Sequence, residues 1–419
     1  MKVIIVGAGI GGLTLALMLH KRGIECEVFE SVRELKPLGV GINLLPHAAT
    51  ELKDVGMLET LQANAVETSA LHYYNRFGQS IWQEPRGLAA GYAVPQLSIH
   101  RGRLQLLLAE AVRERLGADK LHTGKAFESL TQDADGVTAL FRDRSNNGAA
   151  VDFRGDVLVG ADGIHSAVRK GFYPDRDEFR FSGRILWRAV TYTRPYLDGR
   201  TMFMAGYQDQ KFVAYPIVDE AAPAGTVAIN WIAELSVPED RVSYTDWNRV
   251  VDKSVFASEF QSWKWPWIDI PALIDGTEAI YEFPLVDKDP LPRWTHGKAT
   301  LMGDAAHPLY PIGSNGSAQA ILDARCLADR LLETVQKHHR NVEAALKEYE
   351  AERLPATTGI ILRNRLNGPE QVMQMAHERA PDGFAHINDV IPQEVLEEVS
   401  LRYKRAAGFD PSKLKANKA

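Results

Sequence analysis

Cysteine is nearly absent from this chain. There are two in 419 residues, Cys26 and Cys326, far apart in sequence. No CxxC pair or metal-ligand spacing can be built from them, which sets aside a disulfide scaffold and a thiolate metal centre. Two isolated thiols suit a reducing, cytoplasmic setting and read as small buried apolar residues. Long apolar runs are missing as well: nothing approaches the ~18 uninterrupted residues of a membrane span. The stretch Val3–Leu19 is mostly apolar, but four glycines and Thr14 interrupt it, only Lys2 precedes it, and His20-Lys21-Arg22 follows where a cleavage site would stand, so it is not read as a leader. Nor is there a large excess of one charge. Lysine and arginine total 48 against 54 acidic residues, a formal charge of −6, which gives no ground for a nucleic acid or an anionic membrane as partner. No internal repeat or low-complexity block is visible. What remains, 45% hydrophobic and 24% charged residues, is the balance of a soluble globular enzyme, too long for one ordinary core and suited to two domains.

The pattern along the chain changes character twice. Val3–Val6 is a β-branched run of the kind found in a central parallel strand. Leu13–Arg22 reads as a helix with Gly23 at its end, and Cys26–Glu30 as the next strand, together a βαβ unit. Arg101–Leu116 repeats Leu104, Leu107, Leu108 and Val112 at helical spacing and stops at Gly117. Val137–Phe141 and Asp156–Gly160 read as strands. From Phe181 to Phe283 aromatic and β-branched residues dominate, in short alternating runs such as Phe212–Ile217 and Val227–Ile232, which predicts an antiparallel sheet. Past Gly316 the pattern is helical, in Gln319–Val335 and in Val342–Arg353, the second expected to end or kink at Pro355. The lysine-bearing tail past Asp410 is expected to fray. The dinucleotide-binding pattern lies at both ends with the sheet between, so that domain is expected to be discontinuous.

Three separated glycine-acid motifs carry the chemistry. In Gly7-Ala8-Gly9-Ile10-Gly11-Gly12, Gly7 permits a tight turn out of the strand. Gly9 permits backbone approach to a pyrophosphate, and Gly12 lets the helix pack close to the sheet. The helix N-terminus then offers free N–H groups to the phosphates, and Glu30, at the end of the next strand, offers a carboxylate to a ribose. A lone GxGxxG is weak, but the preceding strand and following helix make chance unattractive; the motif alone does not separate FAD from NAD. The second motif, Ala161-Asp162-Gly163-Ile164-His165-Ser166, follows a strand, and Asp162 can bind a hydroxyl or brace the phosphate loop; alone it would read as an Asx turn. The third, Gly303-Asp304-Ala305-Ala306-His307, places Asp304 to hydrogen-bond a polyol. Pro311-Ile312-Gly313-Ser314-Asn315-Gly316 then opens a helix with small residues that admit a flat ring. His307 is either catalytic or, more in keeping with such turns, a brace. Three grips in this order suit one extended FAD.

With these residues in view, the chain resembles the FAD-dependent aromatic monooxygenases of the para-hydroxybenzoate hydroxylase type, from about Met1 to Ala356. Within that family it is most similar to the bacterial hydroxylases that act on a methylated phenazine carboxylic acid. Pro37-Leu38-Gly39-Val40-Gly41-Ile42-Asn43, Glu84-Pro85-Arg86-Gly87, Ser98-Ile99-His100-Arg101-Gly102, Val286-Asp287-Lys288-Asp289-Pro290-Leu291-Pro292 and Tyr310-Pro311 through Asp323 carry that likeness. It implies an α/β fold: a Rossmann-like FAD-binding domain of the glutathione reductase type, an inserted antiparallel β-sheet substrate domain and a helical C-terminal segment. The FAD-binding pieces would be 1–72, 98–178 and 289–356, the substrate pieces 73–97 and 179–288, and the C-terminal segment 357–419, packed on the core in preference to forming a dimer contact. Gly9, Gly12 and Glu30 would hold the ADP half of FAD, Arg101 its phosphates or ribityl chain, and Asp304 the ribityl chain. Gly39–Leu45, with Gly41 and Leu45, would line the isoalloxazine together with Gly313, Asn315 and Gly316. Asp162 would support both FAD and a transiently docked NADH or NADPH, since no second GxGxxG unit exists. Arg103, where relatives often carry an acid or another polar residue, has no functional reading.

The resemblance also implies the reaction: NAD(P)H reduces FAD, O2 gives a flavin hydroperoxide, and one oxygen passes to an aromatic or N-heteroaromatic ring, with decarboxylation where the attacked carbon bears a carboxylate. Pro311 would turn its carbonyl to the substrate and Tyr215 would orient it as the second catalytic candidate. Trp187, Arg188, Phe212, Trp231 and Phe283 are candidates for the substrate wall, although most aromatics in such a sheet are core. Arg188 or Lys211 is a candidate for a substrate carboxylate, with a structural role at least as good. No metal or nucleophile constellation is present. A reductase or dehydrogenase on the same scaffold is the alternative, and the chain would act as a monomer or homodimer.

Overall fold

The computed structural model describes residues 1–176, 178–238, 240, 249–336 and 341–412; the expected fraying of the tail lies, from 413 on, outside them. The β-branched run and its neighbours form a parallel sheet in the order Ala299–Leu301, Val157–Gly160, Lys2–Val6, Glu25–Phe29, Leu121–His122. The first strand thus pairs with Glu25–Phe29 on one side and Val157–Gly160 on the other, and Ala299–Leu301 joins beyond the latter. The helices Ile10–Lys21, Arg101–Leu116, Gly316–Gln336 and Val342–Asn364 pack around it through one large core that includes Leu13, Leu17, Leu104, Leu108, Ile321 and Leu327. Both cysteines are buried and unpaired there. Burial pushes the Cys26 thiol up to about 12, so it stays neutral and behaves as a small apolar group.

Gly12 makes this packing possible. A methyl group on it would fall on the carbonyl oxygen of Gly7, so only glycine lets the first helix sit against the first strand. Gly7 itself has φ +107°, and a side chain would meet the Ala161 carbonyl at 2.5 Å. The first two motifs are therefore in van der Waals contact.

The second layer is a mixed sheet in the order Arg249–Val251, Ile280–Asp287, Arg180–Thr193, Val227–Ser236, Gln210–Ile217, Thr201–Tyr207, Ala70–Tyr74, Ser80–Pro85. Its pairs are antiparallel except Thr201–Tyr207 with Ala70–Tyr74, which is parallel. It is buried on both faces. One face carries Leu186, Met202, Met204, Val213, Tyr215 and Ile232. The other carries Trp187, Phe203, Phe212 and Trp231 and is covered by Phe256, Phe260, Trp263 and the helix Ile270–Asp275. The C-terminal helices Gln371–Arg379 and Gln393–Ala407 pack on the first face through Val372, Met373, Ala376 and Leu396, so the C-terminal segment joins the core.

Pro355 does not end its helix, which runs on through it from Val342 to Asn364. The carbonyl it leaves without an i+4 partner is that of Ala351, which is exposed and can bond water. The neighbouring carbonyl of Arg353 is taken by Thr357 Oγ1 at 3.0 Å. Among the described residues no helix is long and apolar enough to cross a membrane.

Phe212 tests which face is core. Phe212→Ala removes a side chain with no exposed surface and is expected to cost about 3–5 kcal/mol. A denaturant melt of the variant checks this, and any folded fraction should bind aromatic ligands as the parent does.

Candidate active site

Between the parallel sheet and the larger sheet lies a cavity of about 330 Å³. Its first end is built by turns. Gly9, Ile10 and Gly11 line it from the first motif, Ala161 and Gly163 from the second, Gly303 and Asp304 from the third. Gly9 caps the helix Ile10–Lys21 with no side-chain hydrogen bond, and the space where its side chain would stand is open. The 21-residue helix Gly316–Gln336 enters from the other side, where Gly316, Ser317 and Ala320 line the wall. Ser317 Oγ is buried with no hydrogen-bond partner among the described residues. Two helix N-termini, small side chains and an unpartnered hydroxyl make a cradle suited to a flat anionic dinucleotide.

The two charged residues of the cradle were both legible in sequence. Asp304 projects into the cavity, exposed to it but enclosed by protein. That enclosure pushes its carboxyl pKa up, against the pull of His307 and Arg101. Arg101 starts the helix Arg101–Leu116 beside Gly39 and lines the cavity. Its guanidinium has no ion-pair partner among the described residues. Arg103 receives a role: its Nε donates to Asn64 Oδ1 at 3.0 Å, tying that helix to the preceding segment.

Glu30, Asp162 and Gly12 brace the cradle without lining the cavity. Glu30 Oε2 accepts from Ala8 N at 2.9 Å and its Oε1 from Val32 N at 2.9 Å. Asp162 accepts from Ser166 Oγ at 2.5 Å and from Val168 N at 3.2 Å, and burial raises its pKa. His307 resolves to the brace. Its Nε2 meets Asp323 Oδ2 at 2.5 Å, and the same carboxylate accepts from Gly303 N at 2.9 Å and Arg353 Nε at 2.7 Å. Burial pushes Asp323 up, but the adjoining His307 and Arg353 outweigh it and hold the carboxyl at about 2.

The sheet meets the cradle at Gly41. Its N–H donates to Asn230 Oδ1 at 2.6 Å, and its carbonyl accepts from Arg188 Nη2 at 3.1 Å. A side chain on Gly41 would strike Tyr215 Cε2 at 2.7 Å. Tyr215 hydrogen-bonds Arg188, yet burial dominates and pushes its hydroxyl up to about 12. Arg188 also lies with its guanidinium carbon 5.8 Å from the Phe283 ring centre, so Phe283, on the same pleat face as Leu186 and Leu285, flanks the wall without lining the cavity.

Beyond Tyr215 the cavity is walled by Leu186, Met202, Met204, Val213, Ile232 and Leu285, with Pro311, Ile312, Ser314 and Asn315 opposite. Trp187, Phe212 and Trp231, expected in this wall, point the other way. Their side chains fall on the alternate pleat: Trp187 stacks on Phe256 at 4.6 Å, Trp231 Nε1 donates to Thr191 Oγ1, and Phe212 packs on Phe260. Two loop residues are displaced in the same sense. Leu45 caps the helix Pro46–Asp54 and packs on Tyr92, Tyr403 and Phe409. Gly313, at φ +69°, is overlaid by Tyr403. Both line a separate small cavity of about 20 Å³, because the backbone turns away after Asn43 and again after Ile312. Lys211 does line the main cavity, but its ammonium is already between Glu234 (3.0 Å) and Glu370 (2.5 Å). Sequence reasoning missed Met202, Met204, Asn230, Glu234 and Glu370; the pleat parity of Tyr215 pointed to the first four.

The FAD binding domain family matches residues 1–268 and 285–363. The chain belongs to that family, and it is an FAD-dependent aromatic hydroxylase. It is 44% identical over 366 residues to the phenazine 1,6-dicarboxylic acid hydroxylase PhzS of Lysobacter antibioticus, covering 87% of this chain and 89% of that one. It is 32% identical over 360 residues to the aurachin C monooxygenase/isomerase of Stigmatella aurantiaca, covering 84% and 85%. Klebsiella pneumoniae HpxO complexed with FAD and uric acid shares the fold, with a TM-score of 0.73 at 24% identity over 98% of this chain and 97% of that one.

Two outcomes follow from the geometry of this hydroxylase. Asp323→Asn leaves His307 and Arg353 buried without their anion and is expected to cost about 3–5 kcal/mol, read in a thermal melt. The carboxylate's contribution to stability is present above the ordinary aspartate range and is lost as pH falls through about 2, a sign that acid unfolding of the parent against the variant checks. The Tyr215 phenol, raised to about 12, is expected to stay neutral at pH 10. Its stabilising share is full below the ordinary tyrosine pKa of about 10 and disappears as pH climbs to about 12. An ultraviolet tyrosinate titration of the parent and of Tyr215→Phe should therefore coincide up to pH 10.

Proposed function

We propose that this enzyme transfers one oxygen atom of O2 to a flat aromatic or N-heteroaromatic substrate lying on the Met202–Met204–Leu186 face, with NADH or NADPH as electron donor. The observation that carries this reading is the single cavity running from the glycine cradle, past Tyr215, to an apolar sheet wall. Its volume is of the order found for small-molecule sites.

In this reading Gly9 and the first turn of Ile10–Lys21 hold the pyrophosphate, Asp304 accepts hydrogen bonds from the ribityl hydroxyls, and Arg101 neutralises phosphate charge. Gly41, Asn315 and Gly316 give the backbone closeness a flat ring system needs, with Gly12, Glu30 and Asp162 bracing from behind. Leu45 and Gly313 act indirectly, by fixing the loops they terminate. Bound FAD supplies electron transfer from the nicotinamide and activation of dioxygen. The chain does the rest. Tyr215, neutral across the working pH range, donates a hydrogen bond to a ring oxygen or nitrogen and so fixes which carbon faces the reacting oxygen. Arg188 holds that hydroxyl in place while its Nη2 donates to the Gly41 carbonyl. The Pro311 carbonyl, which accepts from Ser314 N at 3.2 Å, keeps a second lone pair for a substrate donor. The apolar wall excludes water, which favours insertion over wasteful release of peroxide.

The deciding experiment is NAD(P)H consumption by the FAD-loaded enzyme with 18O-labelled dioxygen and a panel of phenols, aromatic acids and N-heteroaromatics. One labelled oxygen per product molecule is the expected outcome, with carbon dioxide trapped in the same assay to detect decarboxylation. Oxidation that yields only peroxide across the panel would point to the reductase. Tyr215→Phe is expected to lower coupling of NAD(P)H to product by about tenfold, as loss of one positioning hydrogen bond would.

A further inference from the structure

The end of the cavity farthest from the glycine cradle is charged. Lys211 and Glu234 face each other across adjacent strands, Gln210–Ile217 and Val227–Ser236. Their ammonium-to-carboxylate distance is 3.0 Å. Arg184, on the next strand, reaches Glu234 Oε1 at 2.8 Å. Within the sheet this makes two cations to one anion. The missing anion comes from outside it. Glu370 places Oε2 at 2.5 Å from Lys211 Nζ, and Lys211, Glu234 and Glu370 all line the cavity. All four side chains are buried.

Glu370 sits on a purpose-built turn. Asn367 and Gly368 both adopt left-handed backbone, at φ +64° and +47°. A side chain on Gly368 would press on Ile312 at 3.0 Å and Tyr403 at 3.1 Å. The turn is therefore wedged between the loop that follows Pro311 and the last helix, and its acid cannot drift. It lies past residue 363, where the match to the FAD binding domain family ends. The matched region supplies the lysine; the segment after it supplies the second carboxylate.

We propose that Glu370 is a specificity-determining residue: by completing the charge balance around Lys211 it makes the far end of the substrate cavity neutral, so that a substrate presents a neutral polar edge there and not a carboxylate. This rests on the reading of this cavity as the substrate site. A buried ammonium with two carboxylates has little left to gain from a third anion, and a substrate carboxylate would face Glu234 and Glu370 at close range. Remove the charge of Glu370, and Lys211 shares only Glu234, which Arg184 also holds. One net positive charge then faces the cavity, and an aromatic carboxylate becomes its natural partner.

The test is equilibrium binding to the FAD-loaded enzyme by calorimetry, with two matched probe pairs: benzoate against benzamide, and phenazine-1-carboxylate against phenazine-1-carboxamide. In the parent the amide should bind at least as tightly as the acid. In Glu370→Gln, which keeps size and one acceptor, the acid should gain about tenfold relative to the amide. In the double variant Lys211→Gln/Glu370→Gln the gain should vanish, with thermal melts establishing that each protein is folded. An unchanged ratio in Glu370→Gln for both pairs, absence of acid binding to that variant, or a gain that survives in the double variant would overturn the proposal. If the switch occurs with the benzoate pair and no variant binds either phenazine, the role of Glu370 stands and a polycyclic substrate is ruled out.

Discussion

The site depends on how closely the large mixed sheet approaches the strand Gly41–Leu44 at its first residue. One residue at the junction, Gly41, is held on both sides of its α-carbon by side chains of the mixed sheet: Asn230 takes its N–H and Arg188 its carbonyl. Tyr215 closes over the α-carbon, where any side chain would collide. Each contact is modest, but together they fix position and orientation, because the two successive peptide planes that meet at Gly41 are each held by a directional hydrogen bond. Tyr215 and Arg188 are therefore positioned by the same contact that joins the layers. A change that opened the junction would misplace the phenol before it touched the cofactor cradle.

A second constraint stands behind the cradle. The Asp323 carboxylate collects the Gly303 amide, His307 and Arg353, so three elements converge on one buried anion. The turn carrying Asp304 is thus held from below, leaving the Asp304 carboxylate itself to face the cavity. Neighbouring acids have been driven in opposite directions by their surroundings: Asp323, hydrogen-bonded by His307 and Arg353, is held well below the usual carboxylate range, while burial pushes Asp304, enclosed with fewer partners, above it. A carboxylate that is satisfied makes structure; one that is not is free for a ligand's hydroxyls.

Much of the cradle was legible because glycine leaves a trace that other residues do not. Gly7, Gly9, Gly12 and Gly41 each answer a collision or an opening found in the structure, and Asp304 and Arg101 stand at strand and helix ends, where sequence pattern locates residues well. The C-terminal segment was harder to read. Leu45 and Gly313 sit at loop ends that turn toward Tyr403 and Phe409, partners at least ninety residues away from either in sequence. No local pattern announces such a contact. Glu370 was invisible for the same reason, since nothing in Gly368-Pro369-Glu370 reveals that the acid will meet a lysine of the central sheet.

The substrate wall was misread for a different reason. Aromatic residues attract attention, and Trp187, Phe212 and Trp231 were the obvious choices, yet a strand sends successive side chains to opposite faces. The choice of Tyr215 for the cavity already commits Val213 and Lys211 to it and sends Phe212 behind; the register to the neighbouring strand then commits Ile232 and Glu234 and excludes Trp231. The large aromatics are where a sheet covered on both sides needs bulk, under the segment carrying Phe256 and Phe260. The face toward the cofactor needs the reverse: adaptable methionines, and charges that would be costly in a core unless paired. Lys211 and Glu234, two ionisable residues at matching positions of adjacent buried strands, were therefore a stronger pointer to the ligand face than any of the rings.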